Sequence, residues 1–293
     1  MSLTLQLEAP SIVHSAGQLT IRPLQPTIGA EIRGVDLRLP VSDEVRDEIK
    51  ATLLRYKVVF FRDQDITRED QAAFAQRFGA IYAHPTTKRP DPTQLPAIHH
   101  IAAADFQKPE DALILSQDGI RDGYHTDTSW RLVPTWGAVL RPIHLPPVGG
   151  DTVWVDAGLA YEGLPEAIQA RLEGLHVTHD FRASLLKDGH DYPIVAHPIV
   201  RTHRETGKKI LWVNFTQKPY IIGLDQEDNI KLLTIILDQY RRHENQVRFS
   251  WDLGSVAFWD NRATVHYAVR NYGDFPRLLE RILIADEPLY ADL

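Results

Sequence analysis

The 293-residue chain contains no cysteine. That excludes disulfide frameworks, thiolate metal sites and cysteine nucleophiles, so any metal must be held by His, Asp or Glu. A basic excess is also missing: 32 Lys and Arg against 39 Asp and Glu give a formal net charge of -7. Such a surface has no general attraction to phosphate backbones or anionic lipid, and no nucleic-acid partner is expected. No apolar run approaches the roughly 18 residues of a membrane span. The opening MSLTLQLEAPSIVHSAGQ lacks the basic region and apolar stretch of a secretion signal. The expectation is a cytoplasmic protein with no membrane partner. What is present, 43% hydrophobic and 24% charged residues, is enough for a sizeable core.

Residues 1–17 carry no clear period and read as an N-terminal arm, with 18–293 as a single domain free of repeats and linkers. LTIRPL (19–24) and AEIRGVDL (30–37) alternate like strands. Ser42 can cap a helix running to about Tyr56, the run 57–61 reads as a buried strand, and Thr67 with Asp70 forms a capping-box start for a helix ending near Phe78. Four prolines (Pro85, Pro90, Pro92, Pro96) then mark a long loop, read as a lid over about 84–110. Further strands are expected at 136–140, 152–155, 199–202, 210–214, 246–251, 255–259 and 278–284, with a hairpin around Thr206-Gly207. Two helices are expected among them, 157–173 stopped by Gly174, and 225–242 capped by Asp225. Many short strands with Gly and Pro turns predict a mainly β fold with flanking helices, a sandwich or jelly roll.

Among 13 histidines, context must select the functional ones. The segment YHTDTSW sets His125 and Asp127 two apart, and in extended backbone both project to one side, within reach of one cation. Downstream, FWDNRATVHYAV supplies His266, followed by Arg277 and Arg281 in GDFPRLLERILIA. An arginine turned inward in so apolar a stretch needs an anion to pair with. Two His and one carboxylate form the set that holds non-haem iron(II) while leaving positions open. A zinc-dependent, non-redox hydrolase or lyase on a cupin-like barrel could use the same three ligands. Zinc chemistry does not require a guanidinium beyond the metal, whereas a keto acid with a distal carboxylate does.

With IGAEIRGVDL, VVFFRDQ, FAQRFG, HTD, GGDT, THDFR, HPIVRTH and WDNRATVHYAV in this order, the chain resembles the taurine dioxygenase family. These are iron(II)- and 2-oxoglutarate-dependent oxygenases, a group that includes alkylsulfatases and aryloxyalkanoate dioxygenases. The resemblance implies a double-stranded β-helix of cupin-like jelly-roll type and a homo-oligomer, dimer or tetramer. It implies Fe(2+) on His125, Asp127 and His266, with 2-oxoglutarate held by the hydroxyl of Thr152 and by Arg277. The implied reaction hydroxylates a substrate carbon while 2-oxoglutarate and O2 become succinate and CO2.

The family's sulfonate-binding arginine and histidine match Arg281 and His84, and Phe181 matches a pocket aromatic. At the amine end the sequence departs from the taurine enzymes: their tyrosine is Thr87 here and their asparagine is Arg121. A cationic Arg121 repels an ammonium group. The expected substrate is a small organic anion without an amine, such as an alkyl sulfate, alkyl sulfonate or aryloxy acid.

Overall fold

A computed structural model of the chain describes residues 13–14, 19–86, 98–102, 114–116 and 119–286. Two sheets face each other. The larger has nine strands: eight run in the order Val13–His14, Thr20–Pro23, Ala30–Arg33, Val58–Phe61, Val256–Asp260, Gly137–His144, Leu278–Ile284, Ile81–Tyr82, and Ile98–Ala102 also pairs with Leu278–Ile284. The smaller has three, Gln246–Phe249, Thr152–Asp156 and Thr264–Ala268. Nearly all pairing is antiparallel, the pair Ala30–Arg33 with Val58–Phe61 being parallel.

Alternation along the strands separates two cores. Val58, Phe60, Ala138, Leu140, Ala257, Trp259, Leu279 and Leu283 face the small sheet and meet Trp154, Val247 and Phe249. Phe60 stacks on Phe249 at 4.0 Å between ring centroids, and burying one such side chain is worth about 1.5–3 kcal/mol. Their sequence neighbours Val59, Phe61, Val139, Val256, Phe258 and Ile282 point the other way, onto helices Asp43–Tyr56 and Arg68–Gln76. This is why all four residues of Val58–Phe61 are buried: both faces of the strand are covered. On the outer side of the small sheet, Val153, Val155 and Val265 pack with helix Gln226–Arg241.

Helix starts follow the expected caps. Ser42 Oγ accepts from Val45 N, Thr67 and Asp70 form a reciprocal capping box, and Asp225 accepts from Asp228 N. Two expectations are corrected. The helix expected over 157–173 is broken into Ala157–Glu162 and Glu166–Leu172, because Pro165 lacks an N–H and disfavours helical backbone at the preceding residue. Within the expected lid, Ile98–Ala102 is a strand paired with Leu278–Ile282; the remainder of that loop, at 87–97 and 103–110, lies outside the described residues, as does most of the N-terminal arm. Val13–His14 of that arm pairs with Thr20 and Ile21. Strand Thr264–Ala268 was not expected, since a three-residue turn of small and polar residues separates it from Val256–Asp260.

Candidate active site

His125 and His266 come from segments far apart in sequence and face each other across an isolated antiparallel bridge. His125 N donates to His266 O at 3.0 Å, and His266 N returns the bond at 2.7 Å. Directly opposed residues project to one side, and the two rings lie 4.1 Å apart. The backbone entering His125 is crowded: a Cβ on Gly123 would sit 2.2 Å from the ring of Tyr267. Only glycine fits there.

Asp127 extends this pair into a cluster whose ligand atoms lie within 4.8 Å of one another. Its Oδ1 is 4.0 Å from His125 Nε2 and 3.7 Å from His266 Nε2. Asn261, fully buried, fixes the segment. Asn261 Oδ1 accepts from Asp127 N at 2.9 Å and from Thr126 Oγ1 at 3.0 Å, while Nδ2 donates to Asp127 O and Thr135 O. Thr128 then takes a left-handed backbone, φ 52°, a conformation that costs a non-glycine residue about 1 kcal/mol or more and that surrounding contacts must enforce.

Protonation suits a cation. Gly123 O lies 2.9 Å from His125 Nδ1, so Nδ1 carries the proton and Nε2 presents its lone pair toward Asp127. Burial pushes both imidazoles down, for His266 well below the usual range, with His125 and Arg281 adding to the effect; for His125, Asp127 pulls the other way. Asp127 Oδ2 is buried without a hydrogen-bond partner, and an orphaned carboxylate oxygen is expensive unless a ligand meets it. Two neutral imidazoles and such an oxygen fit a divalent metal of the type held by two His and a carboxylate.

Thr152 and Arg277 lie at one end of the small sheet. Thr152 is paired with Ala268, two residues on from His266, so its side chain shares the sheet face of the His266 imidazole. Trp251 Nε1 donates to Thr152 Oγ1 at 3.0 Å, which leaves the threonine's own proton available for a ligand. Arg277 is 5% exposed and gives Nε to Gly150 O at 3.0 Å. Among the described residues no carboxylate pairs with it and its terminal amino groups have no hydrogen bond. Burial lowers its affinity for the proton, opposed by Tyr272 and Asp151. Gly150, at φ 75°, permits the approach, since a Cβ there would lie 3.1 Å from Arg277 Nε.

On the other side of the cluster Arg281, 9% exposed, gives Nη1 to Asp127 Oδ1 at 2.5 Å, while its Nε is buried and unpartnered. Arg281 thus points inward, onto Asp127, rather than out to solvent. His84 is also buried, its ring 6.1 Å from Phe181 and 5.8 Å from Trp130. Phe181 stacks on Trp130 at 5.8 Å. Arg121 instead directs Nε and Nη2 to Thr216 O at 3.3 and 3.1 Å. Thr87 lies outside the described residues.

Sequence reasoning singled out His125, Asp127, His266, Thr152 and Arg277 but gave no role to Asn261, Trp251, Trp130 or Gly123. Asn261 is part of WDNR, yet its four bonds reach residues 126–135, a relation no local pattern encodes. A tight turn of Asn, Arg and Ala immediately after an all-buried strand was the available signal.

Fold and cluster together define a jelly roll with a two-histidine, one-carboxylate centre, the frame of a non-haem oxygenase. The profile of the taurine catabolism dioxygenase TauD, TfdA family matches residues 20–283. The chain is 33% identical over 291 residues to an alpha-ketoglutarate-dependent sulfate ester dioxygenase of Pseudomonas putida, covering 92% of this chain and 90% of that protein. An alkylsulfatase of Acinetobacter baylyi is 34% identical, with 94% and 88% covered. The crystal structure of a putative alpha-ketoglutarate-dependent taurine dioxygenase from Burkholderia xenovorans superposes with a TM-score of 0.79 at 34% identity, covering 92% of this chain and 93% of that one. The chain belongs to the TauD/TfdA family and is a 2-oxoglutarate-dependent dioxygenase. Among the described residues, no helix is long and apolar enough to cross a membrane.

Proposed function

We propose that the protein hydroxylates a carbon of a small organic anion without an amine, an alkyl sulfate or sulfonate ahead of taurine. In this reading His125, Asp127 and His266 hold iron(II), Thr152 and Arg277 hold 2-oxoglutarate, and His84, Phe181 and Arg281 receive the substrate. The observation that carries it is Arg277: a buried guanidinium that no carboxylate of the described chain neutralises. A distal carboxylate of 2-oxoglutarate satisfies it, and a zinc hydrolase has no use for it.

When bound, iron(II) with 2-oxoglutarate and O2 supplies the oxidising power that replaces a C–H by C–OH, succinate and CO2 being the co-products. The chain's own contribution is positional. Gly123 O fixes the His125 ring so that one nitrogen is free for the metal, and Asn261 holds Asp127 so that Oδ2 remains available. Arg281 screens the charge of Asp127 and offers donors to an anion arriving beside it. Trp130 and Phe181 provide an apolar wall against which the substrate's carbon chain excludes water.

Support for the sulfate class comes from the relatives named sulfate ester dioxygenase and alkylsulfatase. The test is oxygen consumption and succinate formation with iron(II), 2-oxoglutarate and a panel of alkyl sulfates, sulfonates, aryloxy acids and taurine. Coupled succinate release fastest with an unaminated sulfate or sulfonate is expected. Hydrolysis without oxygen uptake, or taurine as the best substrate, overturns the reading.

A further inference from the structure

Strand Gln246–Phe249 pairs with Thr152–Asp156 so that Phe249 lies opposite Thr152. Opposed residues of an antiparallel pair share a sheet face. Trp251, two residues further on, joins the same core between the sheets: its ring packs edge-on to Phe249 at 5.1 Å and lies 6.3 Å from Trp154. The chain beside it is tied down as well. Arg248 gives Nε to Asp151 Oδ2 at 2.6 Å, and Ser250 gives Oγ to Asp151 Oδ1 at 3.0 Å. Because Asp151 directly precedes Thr152, the segment that carries the indole is fastened by side-chain bonds to two consecutive residues of the segment that carries the threonine hydroxyl.

The indole has one polar atom, an N–H that donates and cannot accept. It donates to Thr152 Oγ1 at 3.0 Å, and both side chains are buried. Among the described residues the threonine hydroxyl has no second hydrogen-bond partner. A hydroxyl offers one proton and two lone pairs, and it turns to suit its neighbours. With one lone pair filled by a fixed donor, that turning is narrowed and the proton lies on another side of the oxygen. The accepted bond also polarises the O–H and makes it a stronger donor. Thr152 thus meets a carboxylate as a donor, beside the buried guanidinium of Arg277 at the same end of the small sheet.

We propose that Trp251 is a positioning residue for 2-oxoglutarate that acts through Thr152: its N–H sets the threonine hydroxyl as a donor to a carboxylate of the co-substrate. This rests on the reading above that Thr152 and Arg277 hold 2-oxoglutarate, and it deepens that reading by giving a role to an indole whose one polar atom is taken up by Thr152. The N–H and the packing of the ring against Phe249 are separable contributions, and the role belongs to the N–H.

The test titrates 2-oxoglutarate calorimetrically into the iron(II) protein under argon, where no turnover occurs. Wild type, Trp251→Phe, Thr152→Val and the double variant are compared, together with a protein carrying benzothienylalanine in place of Trp251, an isostere with sulfur where the N–H was. Loss of one neutral hydrogen bond predicts a Kd about three- to tenfold weaker in both variants of Trp251. Thr152→Val, which loses a bond to a charged group, should weaken Kd about tenfold or more. In the Thr152→Val background Trp251→Phe should add less than about twofold, since no hydroxyl remains to be directed. A role in packing alone predicts the opposite pattern: wild-type affinity with the isostere, and the same loss from Trp251→Phe with or without the Thr152 hydroxyl. Either of those results overturns the proposal, and because the isostere fills the same volume it decides the question even where Trp251→Phe does not fold. Wild-type affinity in Thr152→Val overturns the reading of Thr152 and the proposal with it, whereas a loss in Thr152→Val with none in the variants of Trp251 overturns the proposal alone.

Discussion

Among the described residues, two places gather histidine and carboxylate closely enough to hold a metal: His125, Asp127 and His266, and His203, Glu205 and Asp260. Their composition is nearly the same, and their hydrogen bonding is opposite. At the second, Arg262 grips Asp260 through Nε at 3.0 Å and Nη2 at 2.8 Å, and also reaches Glu205, while Lys50 meets Glu205 at 3.2 Å. Both nitrogens of His203 are used, Nε2 with Asp260 and Nδ1 by Thr206 N. Burial works against the Asp260 charge, but Arg262 and His203 outweigh it and hold the carboxyl below its usual range. At the first cluster Asp127 Oδ2 lacks a partner and the imidazoles are pushed toward neutrality. The contrast teaches that residue types do not make a metal site. An ion-pair network closes its own valences, whereas a ligand site leaves some open.

The comparison breaks most sharply under alanine substitution. His125→Ala, Asp127→Ala or His266→Ala should each abolish stoichiometric metal uptake and succinate release, the two histidine variants with little change in unfolding midpoint. Asp260→Ala should do the reverse. Removing Asp260 leaves Arg262 with the partly exposed Glu205 alone, at a cost of up to about 3–5 kcal/mol, read as a lowered denaturation midpoint with metal stoichiometry retained. Loss of metal in Asp260→Ala, with stability intact, would invert the assignment.

Asn261 joins the two regions, since it follows Asp260 yet holds Asp127. Asn261→Ala should weaken metal binding by about 10–100-fold, the usual consequence of losing a residue that orients a ligand. A cobalt(II) titration measures it, and an unchanged affinity shows that Asp127 is placed without its help.

The smallest effect concerns pH. Burial depresses His84 and His197 from 6.5 to about 4 in the folded chain. An unfolded chain takes up those protons first, so their contribution is complete above pH 6.5 and is lost as the pH falls from there toward 4. Stability should drop by about 1 kcal/mol or more between pH 7 and pH 5. The Asp260 carboxyl contributes nothing to that slope, because it stays ionised throughout the range. Urea denaturation at the two pH values checks the sign, and equal or greater stability at pH 5 contradicts it.

How much of this was legible depended on whether the information was local. Ser42, Thr67 with Asp70, and Asp225 announced their helices because a cap acts within one turn. His125 and Asp127 were legible from the two-residue period of extended backbone, and the fold class from short strands with turn residues. The bridge between His125 and His266 was not, since it pairs segments more than a hundred residues apart. Pro165 was passed over in favour of the apolar period around it, so one helix was read where two exist. Ile98–Ala102 was hidden by prolines that precede it and by a polar His99-His100 pair that only strand pairing sorts onto two faces.

The central claim, that the open valences at His125, Asp127 and His266 hold the metal, is tested most directly by anomalous diffraction from crystals soaked in manganese(II). A single peak between the two imidazoles and the Asp127 carboxylate is predicted, with none at His203, Glu205 and Asp260. A peak at the second cluster, or no density at the first under saturating metal, would contradict it.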